Sequence, residues 1–187
     1  MVALYLAGPE VFLAQAQAVG AAKKQLCVAY GHAGLFSLDS DLPVASGAGV
    51  STQIYHANIA MIHKSAAVIA NLTPFRGPSA DAGTVFEIGY ALALGKPVFA
   101  YANVIAGYRE RVRDSHGLQV ASDVGEWACD GMAVENFGLH DNLMIAESIA
   151  AQGWEMIAHA APADALFMDL QAFEACLKQV SAHFREC

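Results

Sequence analysis

One stretch of the chain decides its fold: Asn71-Leu-Thr-Pro-Phe-Arg-Gly-Pro-Ser-Ala-Asp81-Ala-Gly-Thr-Val-Phe-Glu87-Ile-Gly-Tyr-Ala91. It runs from the end of an apolar strand, through a polar loop, into a helix. Asp81 stands directly before the predicted helix, and Glu87 stands inside it, near its positive N-terminal end. A carboxylate in that position is expected to be ionised and oriented, which suits a nucleophile.

Strands and helices are predicted to alternate on both sides of this stretch. Apolar runs bounded by turn residues predict strands at 2–7, 34–37, 66–72, 98–102 and 155–158. Helical spacing of apolar residues predicts helices at 11–30, 51–64, 84–94, 141–151 and 170–184. The alternation indicates an α/β fold, a doubly wound parallel sheet of about five strands with helices on both faces.

Two segments interrupt this pattern. Residues 42–49 are rich in Pro, Gly and Ser and are predicted to form a loop. Residues 103–138 are rich in Gly, Asp and Arg and are predicted to form an irregular insertion, which in a compact domain is usually functional or mobile. No repeat or linker divides the chain, so residues 1–187 are expected to form a single domain.

The composition argues against several classes of function. A formal net charge of −8 argues against a nucleic-acid partner. No apolar run reaches the roughly 18 residues that span a bilayer, and nothing resembles a signal peptide. The four cysteines form no Cys-x-x-Cys pair, which favours a reduced, cytoplasmic protein. Neither the cysteines nor the seven histidines have metal-ligand spacing, so no metal and no cofactor are expected.

Polar residues gather where the strands of the predicted sheet would end. Ligands of such sheets bind outside the carboxyl ends of the strands. Tyr5 and Gly8 lie at the end of the first strand, Asn71 ends the third, and Gly83 permits close backbone approach at the start of the next helix. Two carboxylates at a cleft without a metal are typical of glycosyl transfer, in which one attacks the anomeric carbon and the other handles protons.

Each of these residues also has a plainer interpretation. Asp81 can be only a helix N-cap, and Tyr5 only a core tyrosine. A purely structural Glu87 is harder to accommodate, because a buried acid costs several kcal/mol unless it has partners. The string Gly-Thr-x-x-Glu also occurs in lysine-decarboxylase-like nucleotide hydrolases, so alone it does not decide the chemistry.

Four blocks of sequence together resemble the nucleoside 2-deoxyribosyltransferase family. They are Tyr5-Leu-Ala-Gly-Pro-Glu-Val-Phe12, Asn58-Ile-Ala-Met-Ile62, residues 70–97, and Asn136-Phe-Gly-Leu-His-Asp-Asn-Leu-Met144. The third block is specific, because Pro-Phe-Arg-Gly is followed by Asp-x-Gly-Thr-x-Phe-Glu-x-Gly. The insertion around Tyr108-Arg-Glu-Arg111 resembles the subgroup that includes the trypanosomal enzymes.

The resemblance implies a flavodoxin-like fold and a two-step exchange of 2-deoxyribose between nucleobases, as used in nucleoside salvage. Glu87 falls on the family's nucleophile, which would attack C1′ of a 2′-deoxynucleoside and form a deoxyribosyl-enzyme ester. Tyr5 falls on the tyrosine that positions that glutamate. Asp81 falls on the aspartate that touches substrate and manages proton transfer.

The resemblance also implies the substrate contacts. Asn142 and Met144 fall on a segment that a neighbouring subunit inserts into the site, so a homo-oligomer with shared sites is expected. Some family members carry aspartate where this chain has Asn58 or Asn71, which leaves Asp81 as the acid for the departing base. The expected substrate-binding positions, the two base-stacking phenylalanines among them, are Gly8, Phe12, Asn58, Asn71, Phe75, Gly83, Asn142 and Met144.

Two rival functions are open at this point. Related enzymes hydrolyse 2′-deoxynucleoside 5′-monophosphates and usually offer Ser, Arg and Gly donors to the phosphate in the first loop. Here that loop, residues 8–12, contains Glu10 and no basic residue, which favours free nucleosides. A non-enzymatic nucleotide-sensing module on the same fold is disfavoured, because both carboxylates, Tyr5 and Asn142 occur together.

Overall fold

The predicted alternation of strands and helices is confirmed in the computed structural model, which describes residues 1–39, 49–121 and 125–186. The strands are β1 Ala3–Ala7, β2 Ala33–Phe36, β3 Ala67–Asn71, β4 Val98–Ala102, β5 Leu118–Ala121, β6 Gly125–Ala128 and β7 Ile157–Ala158. The α-helices are α1 Ala16–Ala29, α2 Val50–Lys64, α3 Ala82–Ala93, α4 Tyr108–His116, α5 Leu143–Ala150 and α6 Gln171–Glu186. The loop predicted at 42–49 lies, except for residue 49, outside the described residues.

Five of the strands form one parallel sheet in the order β2-β1-β3-β4-β7. The short strand predicted at 155–158 is confirmed as β7, which pairs with the end of β4 through Tyr101 and Ile157. Every residue of β3 and β4 is buried, as expected for the middle strands of a sheet that is covered on both sides.

The two faces of the sheet carry separate cores. Successive strand residues point to opposite faces, so Leu4 and Leu6 pack with α1 and α6, whereas Tyr5 and Ala7 pack on the side of α2, α3 and α5. This alternation determines on which face of the sheet the site forms, because it turns the hydroxyl of Tyr5 toward the helix that carries Glu87.

The first helix begins later than predicted. Residues Pro9–Phe12 form a separate 3-10 turn, and Leu13 has extended backbone angles that interrupt it before α1 starts at Ala16. Pro9 favours a turn start, since its ring fixes φ and it has no N–H to leave unpaired. The loop after β1 is therefore a defined turn at the edge of the sheet.

The prediction that residues 103–138 are irregular is wrong for much of that segment. It contains the helix α4 and an antiparallel hairpin of β5 and β6. The helix escapes pattern recognition because Val112 is its one buried residue, so it has no apolar stripe. None of the described helices is long and apolar enough to cross a membrane.

Candidate active site

Glu87 lies in the second turn of α3 and meets two donors from other segments. The hydroxyl of Tyr5 donates to its Oε1 at 2.6 Å, and the amide of Asn58, on α2, donates to the same oxygen at 3.3 Å. Within the described part of the chain, Oε2 of Glu87 accepts no hydrogen bond. The two donors thus fix the carboxylate and leave one oxygen available to a substrate.

The expectation that the helix holds Glu87 ionised is wrong in direction. The pKa of Glu87 is raised from 4.5 to about 7, mainly by burial and to a smaller extent by the nearby charge of Asp81. The hydrogen bonds from Tyr5 and Asn58 act in the opposite sense but do not outweigh the desolvation. Glu87 is in the second turn of the helix, beyond the first-turn N–H groups where the positive end of the dipole is concentrated.

Tyr5 is a buried and neutral donor. Its hydroxyl lies 2.9 Å from the hydroxyl of Ser37, a residue that the sequence analysis did not single out. Burial, and then the adjacent charge of Glu87, raise the pKa of Tyr5 well above its ordinary value. Tyr5 therefore keeps its proton near neutral pH and can donate to Glu87 there.

Asp81 has the capping role that the sequence allowed, and its predicted role in proton transfer stays a prediction. It is the N-cap of α3, because its Oδ2 accepts from the backbone N–H of Thr84 at 2.9 Å and from the Thr84 hydroxyl at 3.1 Å. It also lies close enough to Glu87 to affect the pKa of that residue. A Cβ at Gly83 would stand 3.1 Å from the same Oδ2, so glycine leaves room for the cap.

Asn71 is enclosed beneath the site, with no exposed surface. Its amide nitrogen donates to Glu10 at 2.8 Å, and its oxygen accepts from the N–H and hydroxyl of Thr73 at 2.9 and 2.6 Å. A substrate contact through Asn71 stays a prediction, and it requires the side chain to become accessible. Asn58, in contrast, is half-buried and directly contacts Glu87.

The interpretation of Glu10 as a negative charge facing a substrate phosphate is wrong. Glu10 is buried and forms an ion pair with the equally buried Lys23 of α1. Its Oε1 also accepts from the hydroxyl of Tyr101 at 3.0 Å. A Cβ at Gly8 would stand 2.0 Å from Oε2 of Glu10 and 2.9 Å from Cβ of Asn71, so a larger residue there would have to displace one of these buried side chains.

The two predicted base-stacking residues stack on each other. The rings of Phe12 and Phe75 are parallel to within 14°, with centroids 5.1 Å apart, and the guanidinium carbon of Arg76 lies 4.7 Å from the centroid of the Phe75 ring. Phe12 is 58% exposed, so the stack reaches the surface. Arg76 itself has a left-handed φ of 55°, which is unusual for a residue other than glycine.

Asn142 and Met144 lie where α5 begins. Asn142 is the N-cap, since its side-chain oxygen accepts from the N–H of Met144 at 3.0 Å and its amide donates to Glu135 at 2.7 Å. Met144 is 73% exposed and so contributes little to the core of its own chain. Its predicted contact with a neighbouring subunit stays a prediction.

Comparison of the sequence with known families identifies the family of the chain. The family model described as nucleoside 2-deoxyribosyltransferase matches residues 4–144, most of the chain and all the predicted site residues. The chain belongs to the nucleoside 2-deoxyribosyltransferase family. The resemblance noted from the four sequence blocks is therefore confirmed.

Individual relatives support the family assignment. A 2-desoxiribosyltransferase from Leishmania mexicana is 32% identical, with a TM-score of 0.64 over 89% of this chain and 95% of that one. An uncharacterized protein of Schizosaccharomyces pombe is 30% identical over 165 residues, 80% of this chain and 78% of the relative. A conserved protein from Enterococcus faecalis, 19% identical over 96% of this chain and 99% of that one, shares the fold with a TM-score of 0.57.

Proposed function

We propose that this member of the nucleoside 2-deoxyribosyltransferase family exchanges 2-deoxyribose between nucleobases through a covalent intermediate on Glu87. The free Oε2 of Glu87 attacks C1′ of a 2′-deoxynucleoside. The electrons of the broken C1′–N bond pass to the base, whose nitrogen takes a proton from Asp81. In the second step, a nitrogen of another base attacks C1′, the ester bond returns its electrons to Glu87, and Asp81 recovers a proton from that base.

A single observation carries this proposal: Tyr5 and Asn58 both donate to Oε1 of Glu87, and Oε2 is left open. A side chain held in this way has one oxygen that stabilises negative charge and one that can form a bond. Two successive inversions at C1′ give net retention, as expected when a carboxylate acts as nucleophile.

Asp81 is the second carboxylate of the reaction in this scheme. The cap bonds to Thr84 end on its Oδ2, so Oδ1 is the oxygen proposed to carry the proton. A purine base leaves more readily when it is protonated, and positioned acids contribute rate factors of roughly 10² to 10⁴. No cofactor is needed in this scheme, and a homo-oligomer completes each site with Asn142 and Met144 of a neighbouring subunit.

Trapping the intermediate tests the nucleophile. Incubation with a 2′-deoxy-2′-fluoro nucleoside is expected to add the mass of the sugar to the peptide that contains Glu87. Glu87→Gln is expected to abolish both the adduct and the exchange, whereas the control Glu147→Gln, an exposed position on α5, keeps both. Substantial exchange by Glu87→Gln would refute the proposal.

The alternative function, hydrolysis of 2′-deoxynucleoside 5′-monophosphates, is favoured by one observation. The buried pairing of Glu10 with Lys23 removes the repulsive charge that spoke against a phosphate near residues 8–12. Incubating a deoxynucleoside and its 5′-monophosphate, each with and without a second free base, separates the outcomes. A new nucleoside shows transfer, whereas free sugar phosphate formed from the monophosphate at the same rate with and without the base shows the alternative hydrolysis.

A further inference from the structure

Asp141 is a buried carboxylate that ties two distant segments together. Its Oδ1 accepts from the hydroxyl of Ser79 at 2.5 Å and from the backbone N–H of Asn142 at 2.8 Å. Its Oδ2 accepts from the N–H of Ala80 at 3.1 Å. The side chain of Asp141 is 1% exposed, so a charge placed here must be compensated by nearby donors.

Arg111 of α4 supplies that compensation and extends the connection. Its Nη2 lies 3.3 Å from Oδ2 of Asp141 and donates to the carbonyl of His140 at 2.5 Å. Its Nε donates to the carbonyl of Pro78 at 2.6 Å, and its Nη1 donates to the carbonyl of Ala106 at 2.7 Å. The planar guanidinium can donate to all of these acceptors at the same time. A lysine ammonium at this position cannot, because its three donors lie on a single nitrogen.

The two side chains therefore hold residues 78–80 through three hydrogen bonds, one to each residue, and residue 80 is followed directly by Asp81. We call Arg111 and Asp141, with the hydrogen bonds just described, the loop clamp. The loop from 72 to 81 contains two prolines and the left-handed Arg76, and its own 75–79 turn is closed by a hydrogen bond from the N–H of Phe75. The clamp fixes the end of this loop that leads into Asp81.

We propose that Arg111 and Asp141 are positioning residues for proton transfer by Asp81 to the departing base. This inference rests on the proposed function, in which Asp81 is the acid. A misplacement of about 1 Å at a reacting group can cost a factor of about 100 in rate, so a loop held by three cross-connections is suited to this task. In this proposal the clamp acts on proton transfer through the loop that leads into Asp81 and does not itself contact the substrate.

Leaving-group dependence tests the proposal. One substrate is deoxyadenosine, whose base needs a proton to leave, and the other is the 2-deoxyriboside of 4-nitrophenol, which leaves as an anion. Arg111→Lys and Asp141→Asn are expected to lower kcat/KM for deoxyadenosine about 10- to 100-fold, and to change it less than about threefold for the nitrophenyl substrate. The matched control is Arg113→Met, an exposed arginine of the same helix that pairs with Asp114.

The variant Asp81→Asn distinguishes a failure of the proposed acid role of Asp81 from a failure of the proposed role of the clamp. If Asp81→Asn slows both substrates equally, the assignment of Asp81 as acid fails, and the proposal for the clamp fails with it. If Asp81→Asn discriminates between the substrates but the clamp variants slow both equally, the clamp has a structural role only and the proposal alone is overturned.

Hydrogen exchange provides a second measurement that does not depend on turnover. In the full-length protein, amides of residues 79–84 are expected to exchange at least about tenfold faster in Arg111→Lys than in wild type or Arg113→Met. Unchanged exchange in this segment would overturn the proposal, even if the activity of the variant were reduced.

Discussion

The hydroxyl of Tyr5 donates a hydrogen bond of 2.6 Å to Oε1 of Glu87, 82 residues later in the chain, and so joins the first strand of the sheet to α3. The bond crosses between two elements that pack on the same face of the sheet. It holds in a fixed orientation the carboxylate that is proposed as the nucleophile, and it partly offsets the rise in the pKa of Glu87 that burial causes.

The first prediction concerns the pH dependence of the reaction. Because burial raises the pKa of Glu87 to about 7, the nucleophile becomes protonated below that pH, and kcat/KM is expected to fall about tenfold per unit on the acidic side. Tyr5→Phe removes a bond that lowers this pKa, so the acidic limb is expected to move to higher pH. The pH profile of Tyr30→Phe, whose hydroxyl bonds to Glu174, is the control and should match wild type.

The second prediction concerns the stability of the buried pair. Lys23→Met leaves Glu10 buried without its ion pair and is expected to lower the free energy of unfolding by about 3–5 kcal/mol. Adding Glu10→Gln should cost less than the sum of the single changes, as a double-mutant cycle in urea would show. The neighbouring Lys24→Met, whose partner Asp39 is more exposed, should cost about 1 kcal/mol or less.

The third prediction concerns phosphate at the 5′ position of the sugar. The exposed Arg76 lies beside Phe12 and Phe75, whereas Arg111 is used internally by the loop clamp. Free nucleosides are still expected to have the higher kcat/KM, because residues 8–12 contain no basic side chain. If the 5′-monophosphate is a substrate, its kcat/KM is expected to fall in Arg76→Met and to stay unchanged in Arg113→Met. A wild-type preference for the monophosphate would favour the hydrolase.

The fourth prediction concerns the shared site. Met144 is largely exposed, so Met144→Ala is expected to leave the unfolding transition of the chain within about 0.5 kcal/mol of wild type. Activity is nevertheless expected to fall, because the side chain would serve a neighbouring subunit. Mixing Met144→Ala with inactive Glu87→Ala, under conditions that allow subunit exchange, should recover part of the activity. A fully active monomer by light scattering would contradict this prediction.

The local pattern of apolar and turn residues was sufficient to predict most of the fold. Apolar runs and turn residues located the five strands of the parallel sheet, and the segment from Asp81 to Glu87 located a capped helix with two carboxylates. Helix α4 was missed because its residues are polar on nearly all sides and its one buried residue, Val112, gives no periodic signal.

The sequence by itself determined the family and the parallel sheet, and it predicted Tyr5, Asp81 and Glu87 as candidate site residues, because these depend on local spacing and on short motifs. Only the tertiary structure decided the raised pKa of Glu87, since desolvation depends on packing from other segments. It likewise decided that Glu10 faces Lys23 and that Arg111 meets Asp141, 30 residues away. A charged residue in a sequence does not reveal its partner, because pairs of this kind are formed only when the sheet and its helices bring distant segments together.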